Sequence, residues 1–435
     1  MAQEPQQLPA VHEAWLPREH ALHRPRHGGR QLTALICALV FFTTPTLMWV
    51  FGARPAEIEN RHLTGFPSLA GGWAFFTTLP TWATDQLTFR GAAIQAADGI
   101  SEAIFGESAP HDQTGANNSG PLQGGPPGAT GQTNDSTDGS GPVDQAGYRA
   151  VIEGRDGWMY FGGDAEAKCA PAHDLAVTLA RIKEIRDIVT ASGRKFIWVV
   201  PPDKSTMVQQ FLPSSYPGKA CHDAAEASTW AQLDAAGVVD VRPGIAEAAR
   251  QVDRPVYPDK DTHWGDEGGL VMAAAVANAA EPGVTQTWKF GPTGSYTVAA
   301  DLPPLIGKRG DKTNVIYNLM PDGVTDRAGK IAEIDRPVVS TGPTIAGMVG
   351  KKTLVYGDSF TQASSRYLSG AFSNLTMLAF STTKTTQDEA IGQWANADVV
   401  VLETVERNVS GGYLPFYDDA FINALRTKLA AHPVK

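Results

Sequence analysis

Ser359 lies in a sequence context that suits a nucleophile. It belongs to the segment GDSF, residues 357–360, which follows the apolar run KTLVY and precedes TQASSRYLSGAF, a stretch of helical composition. In an open parallel sheet, ligands bind at the carboxyl ends of strands, and N–H groups at the start of a helix stabilise an oxyanion. A serine at this turn is therefore a candidate for attack on a carbonyl carbon. The alternative is a Gly-Asp turn in which Ser359 caps the helix.

Asp261 and His263 supply the other two groups that serine-dependent acyl chemistry needs. A serine hydroxyl reacts at neutral pH only when a base takes its proton, and that base needs an acid to fix its tautomer. The two residues are two positions apart, so on an extended segment their side chains project to the same side. Asp266 and Glu267 follow and favour the first turn of a helix. The alternative is a turn capped by Asp261 beside a surface histidine.

Composition and charge narrow the class of partner. The chain has 435 residues, 42% of them hydrophobic, which is enough for a sizeable core. Its formal net charge is −10, and no basic stripe follows the amino-terminal tail, which argues against a nucleic acid partner. A metal site at Asp261 and His263 would need a third ligand, and the sequence identifies none. We therefore predict no metal ion and no cofactor.

Apolar runs and helical stretches alternate along residues 148–435, as in an α/β fold. Five runs predict strands: KFIWVV (195–200), VVDVR (238–242), KTLVYG (352–357), LTMLAFS (375–381) and DVVVLETV (398–405). Several are nearly continuous aliphatic runs, typical of parallel strands covered on both faces. Helices are predicted at 175–192, 224–236 and 267–280. The segment 288–348, rich in Gly, Pro and Asp, is predicted to be an irregular insertion.

An apolar segment near the amino terminus predicts a membrane anchor. Residues 31–53 carry no charge, and the run LTALICALVFFTTPTLMWVF at 32–51 is long enough to cross a bilayer as a helix. Four arginines precede it: Arg18, Arg24, Arg26 and Arg30. This bias predicts a single-pass protein of the cell membrane, with a cytoplasmic amino terminus and an extracytoplasmic main domain. A cleaved signal peptide is the alternative, but about 30 residues precede the apolar run.

Changes in composition divide the chain into five predicted parts. These are a cytoplasmic tail (1–31), a transmembrane anchor (32–51), a juxtamembrane segment packing on the main domain (54–105), a disordered low-complexity linker (106–147) and a catalytic domain (148–435). Cys169 and Cys221 fall in the exported part, where an oxidising compartment permits a disulfide. Their pairing stays open, because the sequence does not give their separation.

Several motifs in a fixed order are similar to those of a known family. DTHW (261–264) precedes GDSF (357–360), and GRDGWMYFGGD (154–164) and VVPPDKSTMVQQFLP (199–213) lie upstream of both. Before the linker stand ENRHLTGFP (59–67) and LTFRGAAI (87–94). Together these segments resemble the AlgJ/AlgX family of polysaccharide O-acetyltransferases. The likeness spans most of the chain after residue 54, and its most specific element is the ordered pair of DTHW and GDSF.

The resemblance implies a fold, a triad and a reaction. The fold would be an SGNH hydrolase-like three-layer α/β fold with a mainly parallel sheet, circularly permuted so that Asp-x-His precedes the serine. Ser359 would be the nucleophile, His263 the base and Asp261 the orienting acid. The enzyme would acetylate an exported polysaccharide, with acetyl groups supplied by a separate membrane-bound acyltransferase. A carbohydrate acetylesterase and a catalytically weak glycan-binding scaffold are the alternatives.

Further residues are candidates for contact with the sugar or the acyl donor. Trp264, Tyr257 and Arg366 lie in or near the two motifs, and Arg407 follows the last predicted strand. The last predicted strand ends within the segment VVLETVERNV, residues 400–409. The family has a similar segment, in which acidic residues are followed by an arginine. A local salt bridge that fixes the strand end is the favoured interpretation of these charges. Trp264 is equally consistent with a core ring that fixes the His263 loop.

Overall fold

The structure is a computed structural model, and it describes residues 29–51, 148–384 and 386–434 together with isolated residues between 15 and 100. The predicted linker (106–147) and most of the predicted juxtamembrane segment (54–105) lie outside the described residues, so both stay predictions. A helix, α1 (Gly29–Val50), covers most of the predicted anchor. Within the described part of the chain, however, no helix is both long and apolar enough to cross a membrane, so the predicted transmembrane helix is not confirmed.

By internal contacts the chain divides into two units. One comprises Met1–Glu57 and Arg61–Gly106, and its longest described element is α1. The other comprises Ile58–Asn60 and Glu107–Lys435, and it contains all the described strands.

Ten strands and ten further helices make up this unit in its described part. The strands are β1 (Val151–Glu153), β2 (Met159–Phe161), β3 (Lys195–Val200), β4 (Val239–Asp240), β5 (Lys289–Ala299), β6 (Asp311–Met320), β7 (Val338–Thr341), β8 (Thr353–Gly357), β9 (Asn374–Ala379) and β10 (Val399–Glu403). The helices are α2 (Gly163–Cys169), α3 (Leu175–Ala191), α4 (Lys204–Met207), α5 (Lys219–Ala235), α6 (Arg242–Val252), α7 (Asp266–Ala280), α8 (Ser359–Ala371), α9 (Gln387–Asn396), α10 (Glu406–Ser410) and α11 (Asp419–Ala431).

The central sheet has six strands in the order β4-β3-β10-β8-β9-β7. Every neighbouring pair is parallel except β7 with β9, which is antiparallel at one edge. Along the chain, β4 is added on the outer side of β3 and β9 on the outer side of β8. The last strand, β10, then lies between β3 and β8. The carboxyl ends of β3, β10 and β8 therefore meet where the strand order reverses, which is where open α/β sheets bind ligands.

Alternate side chains of the sheet enter two separate cores. In β10, Val399 and Val401 face the core formed with α6, α7 and α8, whereas Val400 and Leu402 face the core formed with α3, α5, α9 and α11. All four side chains are fully buried, which explains why this strand is an unbroken aliphatic run. The result is a three-layer α/β fold, so the predicted α/β class with a mostly parallel sheet is confirmed.

The five predicted strands all form, with small differences at their ends. β3 has the predicted bounds, 195–200. β4 is only two residues long because α6 begins at Arg242, with a proline at its second position, inside the predicted strand. The helix predicted at 224–236 begins earlier, at Lys219.

The prediction of an irregular insertion at 288–348 is wrong. This segment contains the antiparallel pair β5–β6 and the edge strand β7. Most side chains of β5 are exposed, so its sequence lacks the apolar alternation that would reveal a strand. A register shift between Pro292 and Gly294 accommodates residues that otherwise argue against a strand. We call the β5–β6 pair, together with the connection between its two strands, the ribbon.

A disulfide joins Cys169, at the end of α2, to Cys221 in α5. The two cysteines are 52 positions apart in the sequence. The bridge therefore resolves the pairing that the sequence left open, and it ties α2 to α5 beside the carboxyl end of β3.

Candidate active site

Ser359 is the first residue of α8, directly after the turn that follows β8. Asp358 caps the helix: its Oδ1 accepts from the Phe360 N–H at 3.0 Å, and its Oδ2 accepts from the Val405 N–H at 2.8 Å. Gly357 is required here by close approach, because a Cβ on it would lie 2.4 Å from Glu403 Oε2. The turn is thus fixed against the end of β10, and the Ser359 side chain is left half-buried at the sheet edge.

Asp261 and His263 lie in the loop before α7, and they meet Ser359 across the sheet edge. The Ser359 hydroxyl lies 2.7 Å from His263 Nε2, and His263 Nδ1 lies 3.0 Å from Asp261 Oδ1. The same Asp261 oxygen accepts from the His263 backbone N–H at 2.9 Å. Since Nδ1 faces a carboxylate, it carries the proton, and Nε2 is free to accept the serine proton. The structure therefore brings the three predicted residues into one hydrogen-bonded chain.

Lys204, at the start of α4, holds the Asp261 loop from behind. Its ammonium is fully buried and donates to four backbone carbonyls at 2.6 to 3.2 Å. The acceptors belong to Met159, Pro258, Asp259 and Asp261. Burial lowers the pKa of Lys204 to about 7, against the opposing effect of nearby carboxylates. The sequence motif contains this lysine, but its type alone did not reveal the role.

Two further charged residues, both carried by the ribbon, reach the pair of Asp261 and His263. Asp301, just after β5, places its Oδ2 2.9 Å from His263 Nδ1. Lys312, in β6, places its Nζ 2.8 Å from Asp261 Oδ2. Sequence reasoning missed both, because no local pattern links them to a loop about 40 residues earlier. Ligand atoms of Asp261, His263 and Asp301 lie within 4.8 Å of one another, so the structure supplies the third metal-ligand candidate that the sequence lacked.

Burial and charge shift the pKa values of the triad in opposite directions. Burial by itself would raise the pKa of Asp261, but the hydrogen bond and charge of His263, together with Lys312, hold it well below its ordinary value. Burial would lower the pKa of His263, but its hydrogen bonds to Asp261 and Asp301 outweigh this and raise it. Both shifts favour the ion pair of an Asp261 carboxylate with a His263 imidazolium.

A cavity of about 330 Å³ opens beside Ser359. Its walls come from α8, the end of β9 and the loop before β7, and the lining residues include Glu333, Asp335, Gln362 and Ser381. The cavity has room for an acyl group and part of a sugar ring. Ser359 is therefore both hydrogen-bonded to a base and reachable from solvent.

A second group of charged side chains lies at the same sheet edge, behind the triad. Arg407 Nη1 is 2.9 Å from Asp203 Oδ1 and 3.6 Å from Asp164 Oδ1, and Lys168 Nζ is 2.7 Å from Glu406 Oε1. All five side chains are buried or nearly so. Burial raises the pKa of Asp203 and Asp164, whereas Lys168 contributes to the lowered pKa of Glu406 despite burial. We call these five residues the buried charge cluster.

The structure does not bring the four predicted substrate-contact residues into the cavity. Trp264 and Tyr257 are each 1% exposed, and their polar atoms donate to Ser364 Oγ and to the Pro202 carbonyl. Arg407 is 2% exposed and belongs to the buried charge cluster. Arg366 is partly exposed, but its Nε lies 3.1 Å from Asp266 Oδ1. These positions do not suit contact with substrate, because the side chains already have protein partners. They agree instead with the alternatives that Trp264 is a core ring and that Arg407 forms a local salt bridge.

Comparisons with known proteins show the family to which this chain belongs. Residues 151–372 match the family model described as SGNH hydrolase-like domain, acetyltransferase AlgX. The probable alginate O-acetylase AlgJ of Pseudomonas syringae pv. tomato is 27% identical over 195 residues, which cover 42% of this chain and 49% of that protein. The probable alginate O-acetylase AlgJ of Pseudomonas putida is 26% identical over 184 residues, or 40% and 46% of the two chains. The chain thus matches about half the length of these curated relatives.

Two solved structures are also similar. The O-acetyltransferase domain of Pseudomonas putida AlgJ aligns with a TM-score of 0.42 at 19% identity, covering 64% of this chain and 98% of that one. Pseudomonas aeruginosa AlgX aligns with a TM-score of 0.39 at 12% identity, covering 60% and 66%. The family model spans just over half of the 435 residues. The resemblance seen in the sequence is confirmed, and the chain belongs to the SGNH hydrolase-like acetyltransferase family of AlgX and AlgJ.

Proposed function

We propose that this protein is an extracytoplasmic O-acetyltransferase that moves acetyl groups onto hydroxyls of a polysaccharide through an acetyl-serine intermediate at Ser359. The observation that carries the proposal is the chain of hydrogen bonds from Ser359 through His263 to Asp261, which ends at a cavity open to solvent. In this chain of contacts Ser359 is the nucleophile, His263 the base and Asp261 the orienting acid.

The reaction has two acyl transfers. In the first, Ser359 Oγ attacks the acetyl carbonyl of the donor while its proton passes to His263 Nε2. The tetrahedral intermediate then expels the donor's leaving group, which takes that proton. In the second, a sugar hydroxyl gives its proton to Nε2 and attacks the acetyl-serine carbonyl. Collapse of this intermediate breaks the ester bond to Ser359, returns the proton to Oγ and releases the acetylated sugar.

The oxyanion of each intermediate needs a hydrogen-bond donor. Ser359 occupies the first position of α8, where a backbone N–H has no intrahelical acceptor and points along the positive end of the helix dipole. This N–H is our candidate donor. We do not assign Asn408 as a second donor, since one Nδ2 hydrogen is donated to Asp358 Oδ2 at 2.9 Å and the residue is only 1% exposed.

The acceptor and the cellular location rest on different observations. The curated relatives are described as alginate O-acetylases, which supports a polysaccharide acceptor. The disulfide between Cys169 and Cys221 supports a location outside the cytoplasm, because structural disulfides persist in oxidising compartments. Such a location separates the enzyme from cytoplasmic acetyl donors, so a membrane-bound acyltransferase is the proposed supplier.

The proposal is tested by following where the acetyl group goes. The purified chain is incubated with an activated acetyl ester, with and without oligosaccharides, and acetylated sugar and free acetate are quantified by mass spectrometry. We expect acetylated sugar that depends on Ser359, with a matching fall in free acetate. Free acetate that no sugar diminishes would instead indicate an acetylesterase. Binding of oligosaccharide without any turnover would indicate a glycan-binding scaffold.

A further inference from the structure

His263 Nδ1 faces two carboxylates instead of the single one that a Ser-His-Asp triad requires. Asp261 Oδ1 lies 3.0 Å from Nδ1, and Asp301 Oδ2 lies 2.9 Å from it. The Nδ1 atom carries one hydrogen; it is hydrogen-bonded to Asp261, and the Asp301 carboxylate lies within ion-pair distance as a second possible acceptor. Asp301 comes from the ribbon and not from the loop that carries Asp261, so the two acids approach from different elements.

Asp301 is held in this position by the loop that carries the base. Its Oδ1 accepts from the Thr262 N–H at 2.8 Å, and its Oδ2 accepts from the Thr262 hydroxyl at 2.6 Å. Its own backbone N–H donates to Asp261 Oδ2 at 3.1 Å. The adjacent Leu302 N–H donates to the Lys260 carbonyl at 3.2 Å. Two hydrogen bonds therefore hold the Asp301 carboxylate beside the imidazole, and two more hold the backbone that carries it.

The charges around the two acids are divided unequally. Lys312 neutralises Asp261 from the side away from the imidazole, at 2.8 Å from Oδ2. In the part of the chain that the structure describes, the only ion pair of Asp301 is with His263. Its side chain is 15% exposed, so solvent screens this charge only partly. Asp301 is therefore the acid whose charge is directed mainly at the imidazole.

We propose that Asp301 is a second orienting acid for His263, able to hold the Nδ1–H tautomer when Asp261 is neutralised. It is a positioning residue, since it acts through His263 and touches neither Ser359 nor the cavity. The inference rests on the proposed function of the triad. Where a triad has one acid, converting it to the amide costs about 10⁴-fold in kcat because the imidazole adopts the wrong tautomer. Here the remaining carboxylate keeps Nε2 free to accept the serine proton.

The test compares Asp261→Asn, Asp301→Asn and the double variant in acetyl transfer. We expect about a tenfold loss of kcat for each single change and about a 10⁴-fold loss for the double variant, far beyond the product of the singles. Asp259→Asn is the matched control: this carboxylate is in the same loop and 44% exposed, its one ion pair among the described residues is with Lys260, and kcat should not change. An Asp261→Asn loss equal to that of the double variant would overturn the inference.

The acid limb of kcat/KM against pH is a second readout that a purely structural role would not move. Asp301 helps to raise the pKa of His263, so Asp301→Asn should shift the acid limb to lower pH. An unshifted limb would contradict the inference. If Asp301→Asn does not fold, the Asp261→Asn variant alone still decides, because retained activity requires another acid at Nδ1.

Two controls separate this inference from its alternatives. Ser359→Ala tests the proposed function, because full activity in that variant would refute the proposed triad. An inactive Ser359→Ala together with a strongly impaired Asp261→Asn would refute only the proposed role of Asp301. A chelator tests the metal alternative for the same three residues. Activity that resists the chelator supports the two-acid arrangement, and activity that is lost and then restored by Zn²⁺ contradicts it.

Discussion

Two groups of charged side chains lie at the same edge of the central sheet, and they differ in what surrounds them. The triad of Ser359, His263 and Asp261 borders a cavity of about 330 Å³ through its serine. In the buried charge cluster, by contrast, Arg407 is 2% exposed and Glu406 is fully buried. Both groups contain acids with shifted pKa values. A shifted pKa therefore does not distinguish a reactive group from a structural one.

The difference lies in the partners of each group. In the triad, the terminal atom is a hydroxyl that faces the cavity, and among the residues that the structure describes its side-chain partner is His263. In the buried charge cluster, each acid faces a cation: Asp203 and Asp164 face Arg407, and Glu406 faces Lys168. Charges paired in this way fix the carboxyl ends of β3 and β10. The cluster thus stabilises the edge of the sheet at which the triad lies.

The largest expected effect on activity comes from removing the proposed nucleophile. Ser359→Ala should lower acetyl transfer by about 10³-fold or more, because only the oxyanion donor and binding remain. The free energy of unfolding should change by less than about 0.5 kcal/mol, since Oγ makes a single hydrogen bond to a side chain. Initial rates and urea unfolding of the same preparations check both expectations. Substantial remaining turnover would assign the chemistry to another residue.

Removing one of the two cations of the buried charge cluster should mainly lower stability. Arg407→Met leaves Asp203 and Asp164 without their partner, and we expect a loss of about 3–5 kcal/mol in the free energy of unfolding. Arg426→Met is the matched control, because Arg426 pairs with Glu184 while 52% exposed. That change should cost less than about 1 kcal/mol. Equal losses in urea unfolding would show that burial does not distinguish the two ion pairs.

The disulfide gives a second test of the difference between the two groups, because it lies next to the buried charge cluster and away from the triad. Changing Cys169 and Cys221 together to serine should cost about 2–4 kcal/mol, since the bridge closes a long loop in the unfolded chain. The kcat of the folded variant should stay near that of the unchanged protein. Cys37→Ser, at an exposed free cysteine, is the control and should alter neither quantity. A large fall in kcat at unchanged stability would contradict the division between the groups.

The smallest expected effect is a displaced pH profile. The base must be neutral to accept the serine proton, so kcat/KM should fall as pH decreases through the pKa of His263. Because Asp261 and Asp301 raise that pKa, the midpoint of this fall should lie above the ordinary histidine value of 6.5. A midpoint below 6.5 would mean that burial outweighs the two carboxylates.

The sequence predicted the parts of the site that depend on local patterns. Apolar runs located the strands; Gly-Asp-Ser stands at the end of β8, and Asp-x-His lies in the loop just before α7. Residues whose positions depend on strand register were missed: Asp301 and Lys312 reach the triad because β5 pairs with β6, and the exposed faces of this ribbon hide both strands. Residue type also failed to predict burial for Tyr257 and Arg407, since an aromatic ring or a cation suits either a core or a binding surface.

The most direct test of the central claim is covalent labelling of the nucleophile. The full chain is treated with a sulfonyl fluoride, and intact-mass and peptide mass spectrometry locate the adduct in the unchanged protein and in His263→Ala. An activated Ser359 predicts one equivalent of label on that residue, with parallel loss of acetyl transfer, and much slower labelling without His263. Label on another residue, or equal labelling rates with and without His263, would contradict the account.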